Sequence, residues 1–522
     1  MAEIGKNIIE NLTSAMYENS FTVYREYIQN SADSIDKAIS IGLLNKGSAY
    51  IDIEIEPSKR RVSIYDNACG IPKNQFYKIL SDIADSQKDR TKEKGFRGIG
   101  RLAGIAYCKN LVFKSSVVGE ETISIMTWDG DLLREILSDN SQHPSASDLV
   151  DQLITCTEEP CNKNEHFFEV IMDNIILESD NLLDEHEVIK YLQSVAPIPY
   201  TNSFVFRSKI YSFAEENNFS IDEYKVSING NPLYKPYKAN IYEGNSDNKK
   251  LLDEIKDIQF EIFKSGSGEI LGWLWYGVSR FEKQIPIINE MRGIRIRKGN
   301  IQIGNGETLS YPKFYKEPRG NFYFFGELFA IHTDLIPNAR RDYFNTNSTL
   351  KDFEDAIYPL LHDELYNLYH YANKVKTSTK KVVDYETKKI AFENKVHSSG
   401  FVSKDDEEKE GRELKQAKEK AEKARHELEL RKKDTKNSKL LARVFEEISA
   451  TYKTVEKTDD ANDYETQCEK EKSKNQKYLA QSLSRYSKKE QKLIGNIYNI
   501  IKKILPQDTA ELVIKKIQEE LK

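Results

Sequence analysis

Cysteines, long apolar runs and net charge are all scarce in this chain, and each scarcity removes a class of protein. There are five cysteines in 522 residues. Cys69, Cys108, Cys156, Cys161 and Cys468 are scattered, odd in number and without a C-x-x-C pair, so neither a disulfide framework nor a zinc site is indicated. No apolar run approaches the ~18 residues that span a bilayer. The opening MAEIGKNIIENL lacks a basic region followed by an apolar core. The expectation is therefore a cytoplasmic protein with no membrane segment. Lys and Arg number 77 against 83 Asp and Glu, a net charge of −6. Nothing global points to a polyanion partner, although a local patch would not show in the total.

What is present is enough to build cores. Hydrophobic residues make up 39%, and the length implies two to four domains. Strand-like and helix-like segments alternate up to about residue 372. From there to about residue 457 charge of both signs dominates, as in DDEEKEGRELKQAKEKAEKARHELELRKKD. Leu414, Ala417, Ala421, Ala424 and Leu428 form a 3-4-3-4 seam, which suits either a coiled coil or a long solvated helix. Near the end, Leu493, Ile494, Ile497, Ile501, Ile504 and Leu505 keep helical spacing until Pro506. The stretch DTAE, Asp508 to Glu511, reads as a capping box opening a last helix with Leu512, Val513, Ile517 and Leu521. Two short helices with such apolar faces need a partner, either the rest of this chain or a second copy. There are no internal repeats.

Three local patterns carry chemistry. In YREYIQNSADSIDKA, residues 24–38, a turn of about 100° per residue puts Glu26, Asn30 and Asp33 in one stripe. Tyr24, Ile28, Ile35 and Ile39 fall on the opposite, core side. A carboxylate, an amide and a second carboxylate suit metal binding or water activation, but the same stripe occurs on surface helices. Asp33 also has Lys37 at i+4 as a helix-stabilising partner. In RRVSIYDNACGIPKNQF, residues 60–76, a strand ends at Asp66 before a glycine turn at Gly70. That aspartate either projects into a pocket as an acceptor or is an ordinary turn residue. In EKGFRGIGRLAGIAYC, residues 93–108, Gly95, Gly98, Gly100 and Gly104 open an apolar helical stretch. Glycines there let backbone N–H groups approach an anion. The spacing is neither a dinucleotide fingerprint nor a P-loop.

In this order the three patterns resemble the boxes of the GHKL ATPases, the Bergerat-fold family of gyrase, the ninety-kilodalton heat-shock chaperones, histidine kinases and MutL. EYIQNSADSIDKA is similar to the E-x-x-x-N-x-x-D-A box. IADSQK, Ile83 to Lys88, and the tryptophan in TWDGD, residues 127–131, resemble chaperone segments, and GFRGIGRLAGIA resembles the MutL-type third box. MRGIRIRKGNIQIG, residues 291–304, resembles a strand pair of the transducer domain that follows the ATPase. HTDLIPNARRDYF, residues 332–344, is similar to the chaperone loop that supplies a catalytic arginine, with Arg341 at that position and Arg340 beside it. Two features depart from the family. Ala68 stands where the second box carries its first glycine, so a different turn is expected there. The strand expected over Asn164–Asn174 lacks the usual Gly-Thr pair, which throws adenine recognition more heavily onto Asp66.

The resemblance implies an α+β multidomain protein. Its parts are a Bergerat ATP-binding domain over residues 1–190, a transducer-like middle domain over 191–372, a charged helical segment over 373–440 and a helical, dimerising domain over 441–522. It implies an ATP hydrolase in which Glu26 activates water, Asn30 holds Mg²⁺, Asp66 and Gly70 meet adenine, and Lys88, Gly95, Gly98 and Gly100 hold the triphosphate. Arg341 completes the site when the second domain docks. The implied activity is that of an ATP-gated homodimeric clamp on protein clients. A MutL- or MORC-like nucleic-acid clamp in genome maintenance or phage defence is the alternative. Its support is GFRG and the cluster Arg292, Arg295, Arg297 and Lys298, which otherwise reads as an exposed strand face opposite Ile294 and Ile296. A histidine kinase is not expected, since little chain precedes the first box, and a topoisomerase subunit would be longer.

Overall fold

The computed structural model describes residues 5–6, 19–82, 100–244, 249–398, 400–454 and 485–521. The chain forms two compact units, Met1–Tyr366 and Asn367–Lys522.

The first unit opens on helix α1 (Thr22–Ser40), whose Tyr24, Ile28 and Ile35 are buried as their spacing requires. The first eight strands are β1 (Ile51–Glu56), β2 (Arg61–Asp66), β3 (Cys108–Ser116), β4 (Thr122–Asp129), β5 (Ile154–Pro160), β6 (Phe167–Ile175), β7 (Val226–Ile228) and β8 (Asn231–Pro232). They make one sheet in the order β5-β4-β3-β6-β2-β1-β7-β8. Neighbours are antiparallel except β1 and β7. Strand β1 alternates buried isoleucines with outward acids, a pattern for a sheet covered on one face. Helices α1, α2 (Lys73–Ser81), α3 (Gly130–Ser138), α4 (Ala146–Leu153) and α5 (Glu185–Val195) contribute to one core with the sheet, which includes Trp128. The sheet takes β7 and β8 from well past residue 190.

A second core follows helix α6 (Arg207–Glu216). After the small hairpin β9 (Asn240–Glu243) and β10 (Lys250–Glu254) come β11 (Asp257–Lys264), β12 (Ile270–Val278), β13 (Gly293–Lys298), β14 (Ile301–Ile303) and β15 (Phe325–Ala330). These five form a sheet in the order β11-β12-β15-β13-β14. Stacked Trp273 and Phe329 lie inside it, with ring centroids 4.3 Å apart.

The alternation in MRGIRIRKGNIQIG does make a hairpin, β13 with β14, but its arginines do not face solvent. Arg297 is fully buried and Arg295 is 8% exposed. Arg297 and Lys235 both bond the buried Glu327 carboxylate, at 2.6 and 2.7 Å, and Tyr200 donates to it as well. Burial pushes the Glu327 carboxyl up, but Arg297 and Lys235 outweigh it and hold the group down at about 2. Within the expected exposed basic face, Arg297 instead belongs to a buried network with Glu327 and Lys235, whose members come from distant segments. Arg297 therefore offers no surface to a polyanion.

After helix α7 (Ser348–Tyr358), the second unit is helical: α8 (Leu365–Ser398), α9 (Lys404–Asp434), α10 (Lys439–Thr454), α11 (Lys488–Ile504) and α12 (Gln507–Glu520). Helices α8 and α9 run antiparallel, tied by Lys395–Glu410 at 2.6 Å and by the Tyr371 hydroxyl donating to the Arg431 carbonyl. Ala417, Ala421 and Ala424 of the seam are buried within the unit, so the seam serves this chain rather than a solvated helix. Helix α12 starts at Gln507 with Pro506 as its cap residue and no side-chain cap, so DTAE is not a capping box. The box lies instead at α11, where Ser487 and Glu490 cap each other's backbone. Val402, Tyr498 and Ile514 form a small core here. Leu493, Ile497, Ile500 and Ile504 remain exposed on one stripe of α11.

Candidate active site

Helix α1 packs beside the end of β2. Asp66 is the last residue of β2 and is buried. Its Oδ1 accepts from the Ala68 N–H at 3.1 Å, and the Ser31 hydroxyl of α1 also bonds it. Oδ2 is buried and has no hydrogen-bond partner among the described residues. A buried, unpaired carboxylate oxygen is costly unless a donor arrives, so Asp66 fits an amino group such as that of adenine.

The turn after Asp66 does not need glycine at position 68. Ala68 is absent from the positive-φ residues, whereas Gly70 has φ +67°. A Cβ on Gly70 would lie 2.1 Å from the Ser116 carbonyl oxygen and 2.8 Å from that of Phe167. Ala68 therefore adopts no positive φ, and the left-handed conformation of this turn sits at Gly70. Strand β6, residues 167–175, is the strand expected to lack the Gly-Thr pair, and its Phe168 pairs with Asp66.

Glu26 is buried in α1, and Asn30, one turn on, is half-buried. Asp33 is buried while Lys37 is exposed. Gly100 stands against Glu26, since a Cβ there would lie 2.5 Å from Oε2. Gly100 opens the 3₁₀ helix Gly100–Tyr107, which Tyr27 of α1 secures by accepting from the Gly104 N–H at 2.9 Å and donating to the Arg101 carbonyl. Lys88, Gly95, Gly98 and the IADSQK segment lie outside the described residues.

The loop after β15 reaches this helix. Arg341 has φ +56° and is largely buried, and its Nε is 3.8 Å from Glu26 Oε1. Arg340 is exposed, and its carbonyl accepts from Arg25 at 3.5 Å. Sequence reasoning missed Arg25, whose Nη2 lies 3.1 Å from the same Glu26 oxygen. It also missed Gln29, fully buried with neither amide atom partnered among the described residues. A polar residue between Glu26 and Asn30 was the available signal for Gln29.

The arrangement joins an acceptor for an amino group, a buried carboxylate one turn from an amide, and a guanidinium from a second sheet. Residues 17–158 match the family described as histidine kinase-, DNA gyrase B- and HSP90-like ATPases, so this segment is an ATP-hydrolysing domain of GHKL type. The match covers less than half of the chain. Over 87 residues the chain is also 26% identical to the chaperone protein HtpG of Salinispora tropica, an alignment covering 16% of this chain and 14% of that protein. No helix among the described residues is long and apolar enough to cross a membrane.

Proposed function

We propose that the chain is a Mg²⁺-dependent ATPase working as an ATP-gated homodimeric clamp on protein clients, in the manner of a chaperone. The observation that carries this reading is the approach of Arg341 to Glu26 at 3.8 Å, from a loop of the second sheet to the first helix of the ATPase layer. ATP turnover then depends on how the two layers dock. The reading divides the work among residues 1–190, 191–372, 373–440 and 441–522 as ATP-binding, transducing, spacing and dimerising parts.

In this reading Asp66 accepts from the adenine amino group across the Gly70 turn. Glu26 orients and deprotonates the attacking water. Asn30 holds Mg²⁺ through its side-chain oxygen, and the ion supplies charge neutralisation at the phosphates. Gly100 lets the chain pass close to Glu26, and by resemblance Gly95, Gly98 and Lys88 hold the triphosphate. Arg25 and Arg341 now face Glu26, so Arg341 must turn from the carboxylate to the γ-phosphate for hydrolysis. Self-association is supported by the exposed stripe Leu493, Ile497, Ile500 and Ile504, a surface that two-fold pairing would cover.

Glu26→Ala should retain ATP binding by calorimetry and lose most turnover, because the base is removed while Asp66 stays. Native-rate hydrolysis by this variant would overturn the mechanism. The same variant, held in ATP and used for affinity capture with and without nuclease, tests the client. A nuclease-resistant protein partner supports the chaperone-like clamp, and a nuclease-sensitive one opposes it.

A further inference from the structure

A cavity of about 690 Å³ lies between the N-terminal end of α1 and one face of α5 on one side and the β13–β14 hairpin and the 340–342 loop on the other. Its lining includes none of Asn30, Asp66, Gly70 or Gly100. Its volume is in the range of small-molecule sites. Six lining residues are cationic, namely Arg25, Lys190, Arg292, Arg295, Arg340 and Arg341, against four carboxylates. Two of those carboxylates are already engaged: Glu187 lies 3.7 Å from Lys190, and Asp342 accepts from the Asn338 amide.

The cations that matter most are Arg292 and Arg295. Arg295 donates only to neutral oxygens, the Gln302 side chain at 2.9 Å and the Glu290 carbonyl at 2.5 Å, and its buried Nε has no partner among the described residues. Arg292 lies flat over Phe322, 3.5 Å from the ring centroid, and its buried Nε is likewise unpartnered. Neither forms an ion pair among the described residues. Burial lowers both guanidiniums from their ordinary values. Glu307 near Arg292, and Glu327 and Glu290 near Arg295, oppose that lowering without pairing directly with either guanidinium. The planar fork of arginine can grip a phosphate through two parallel N–H bonds. Phe322 and the stacked pair Phe21–Tyr191, 5.5 Å apart, add aromatic surface.

We infer that this cavity is a second binding site, for a small phosphorylated ligand held by Arg292 and Arg295. Arg25 and Arg341 line the same space and also face Glu26. A bound phosphate competes with Glu26 for them, so occupancy changes the rate of ATP turnover. That last step rests on the proposed ATPase mechanism, whereas the binding does not.

The test is calorimetry on the full chain, first with Mg·ADP to fill the Asp66 pocket, then with inorganic pyrophosphate or AMP. Each probe is compared across wild type, Arg292→Lys and Arg292→Ala. The expected result is binding of at least one probe at one equivalent, weakened about tenfold in Arg292→Ala, as loss of a charged hydrogen-bonding partner implies. Arg292→Lys, which keeps the charge without the fork, should fall between. Unchanged ADP affinity confirms that both variants are folded. Tighter binding of AMP supports the site and points to a nucleotide, and tighter pyrophosphate supports it and points to an inorganic polyphosphate. Binding of neither probe, or binding indifferent to Arg292, overturns the proposal. Failure of ADP to bind would count against the ATPase reading alone, because the two probes can still be titrated without it.

Discussion

Burial raises the Asp66 carboxyl to about 7, although the Ser31 hydroxyl and the Ala68 N–H both favour its charged form. The adenine amino group is a donor and binds the ionised carboxylate better than the acid, so nucleotide binding should release a proton from Asp66. Because the group in the free protein titrates near neutrality and falls on binding, ATP affinity should rise with pH up to about 7 and level off above it. Well below that point the slope from this group approaches about tenfold per pH unit. Calorimetry across this range on wild type and Asp66→Asn separates the effect from the titration of the phosphates, which is common to both. The asparagine variant should bind ATP more weakly and lose that part of the slope. Equal affinity and equal slope would reduce Asp66 to a turn residue.

The strand–turn–helix from β2 to α2 shows which glycine matters. Gly70 combines φ +67° with backbone oxygens where a Cβ would sit. Gly70→Ala should therefore cost at least the ~1–2 kcal/mol of a left-handed alanine, lower the melting temperature and weaken ADP binding by displacing Asp66. Ala68→Gly should cost only about 0.5–1 kcal/mol through chain entropy. Thermal melts that rank the two variants the other way would show that the turn does not position the site. Elements with a local signal were legible in the sequence: the apolar stripe of α1, the alternation ending at Asp66 and the β13–β14 hairpin all form as read. Partners at long range were not. Arg297 looked outward because Ile294 and Ile296 look inward, yet its partner Glu327 lies 30 residues on and Lys235 62 residues back, where no periodicity reaches. Arg25 was passed over for a similar reason, since adjacent residues on a helix do not ordinarily share a face, and only its long side chain brings it to Glu26.

At the scale of the molecule two surfaces decide whether the chain is a clamp. The first is the exposed stripe of α11. Ile497 and Ile504 are 42% and 73% exposed, so Ile497→Lys with Ile504→Lys should abolish self-association in sedimentation while leaving the melting temperature nearly unchanged. A double variant that still sediments as a dimer moves the interface elsewhere. The second is the approach of the 332–344 loop to α1. Arg341 is separated from Glu26 by more than 300 residues, and no local constraint requires them to meet; docking of the second sheet brings them to 3.8 Å. If that guanidinium serves the γ-phosphate in turnover, Arg341→Ala should lower kcat by roughly 10- to 1000-fold, on the order of 1.4–4 kcal/mol of barrier. ADP affinity should stay near native, because ADP has no γ-phosphate to contact. Arg340→Ala is the control. Its side chain is exposed, and the carbonyl that meets Arg25 survives the substitution, so its turnover should remain within about twofold of native, as for a surface substitution. If both alanine variants turn over ATP normally, the second sheet contributes nothing to hydrolysis and the clamp reading falls with it.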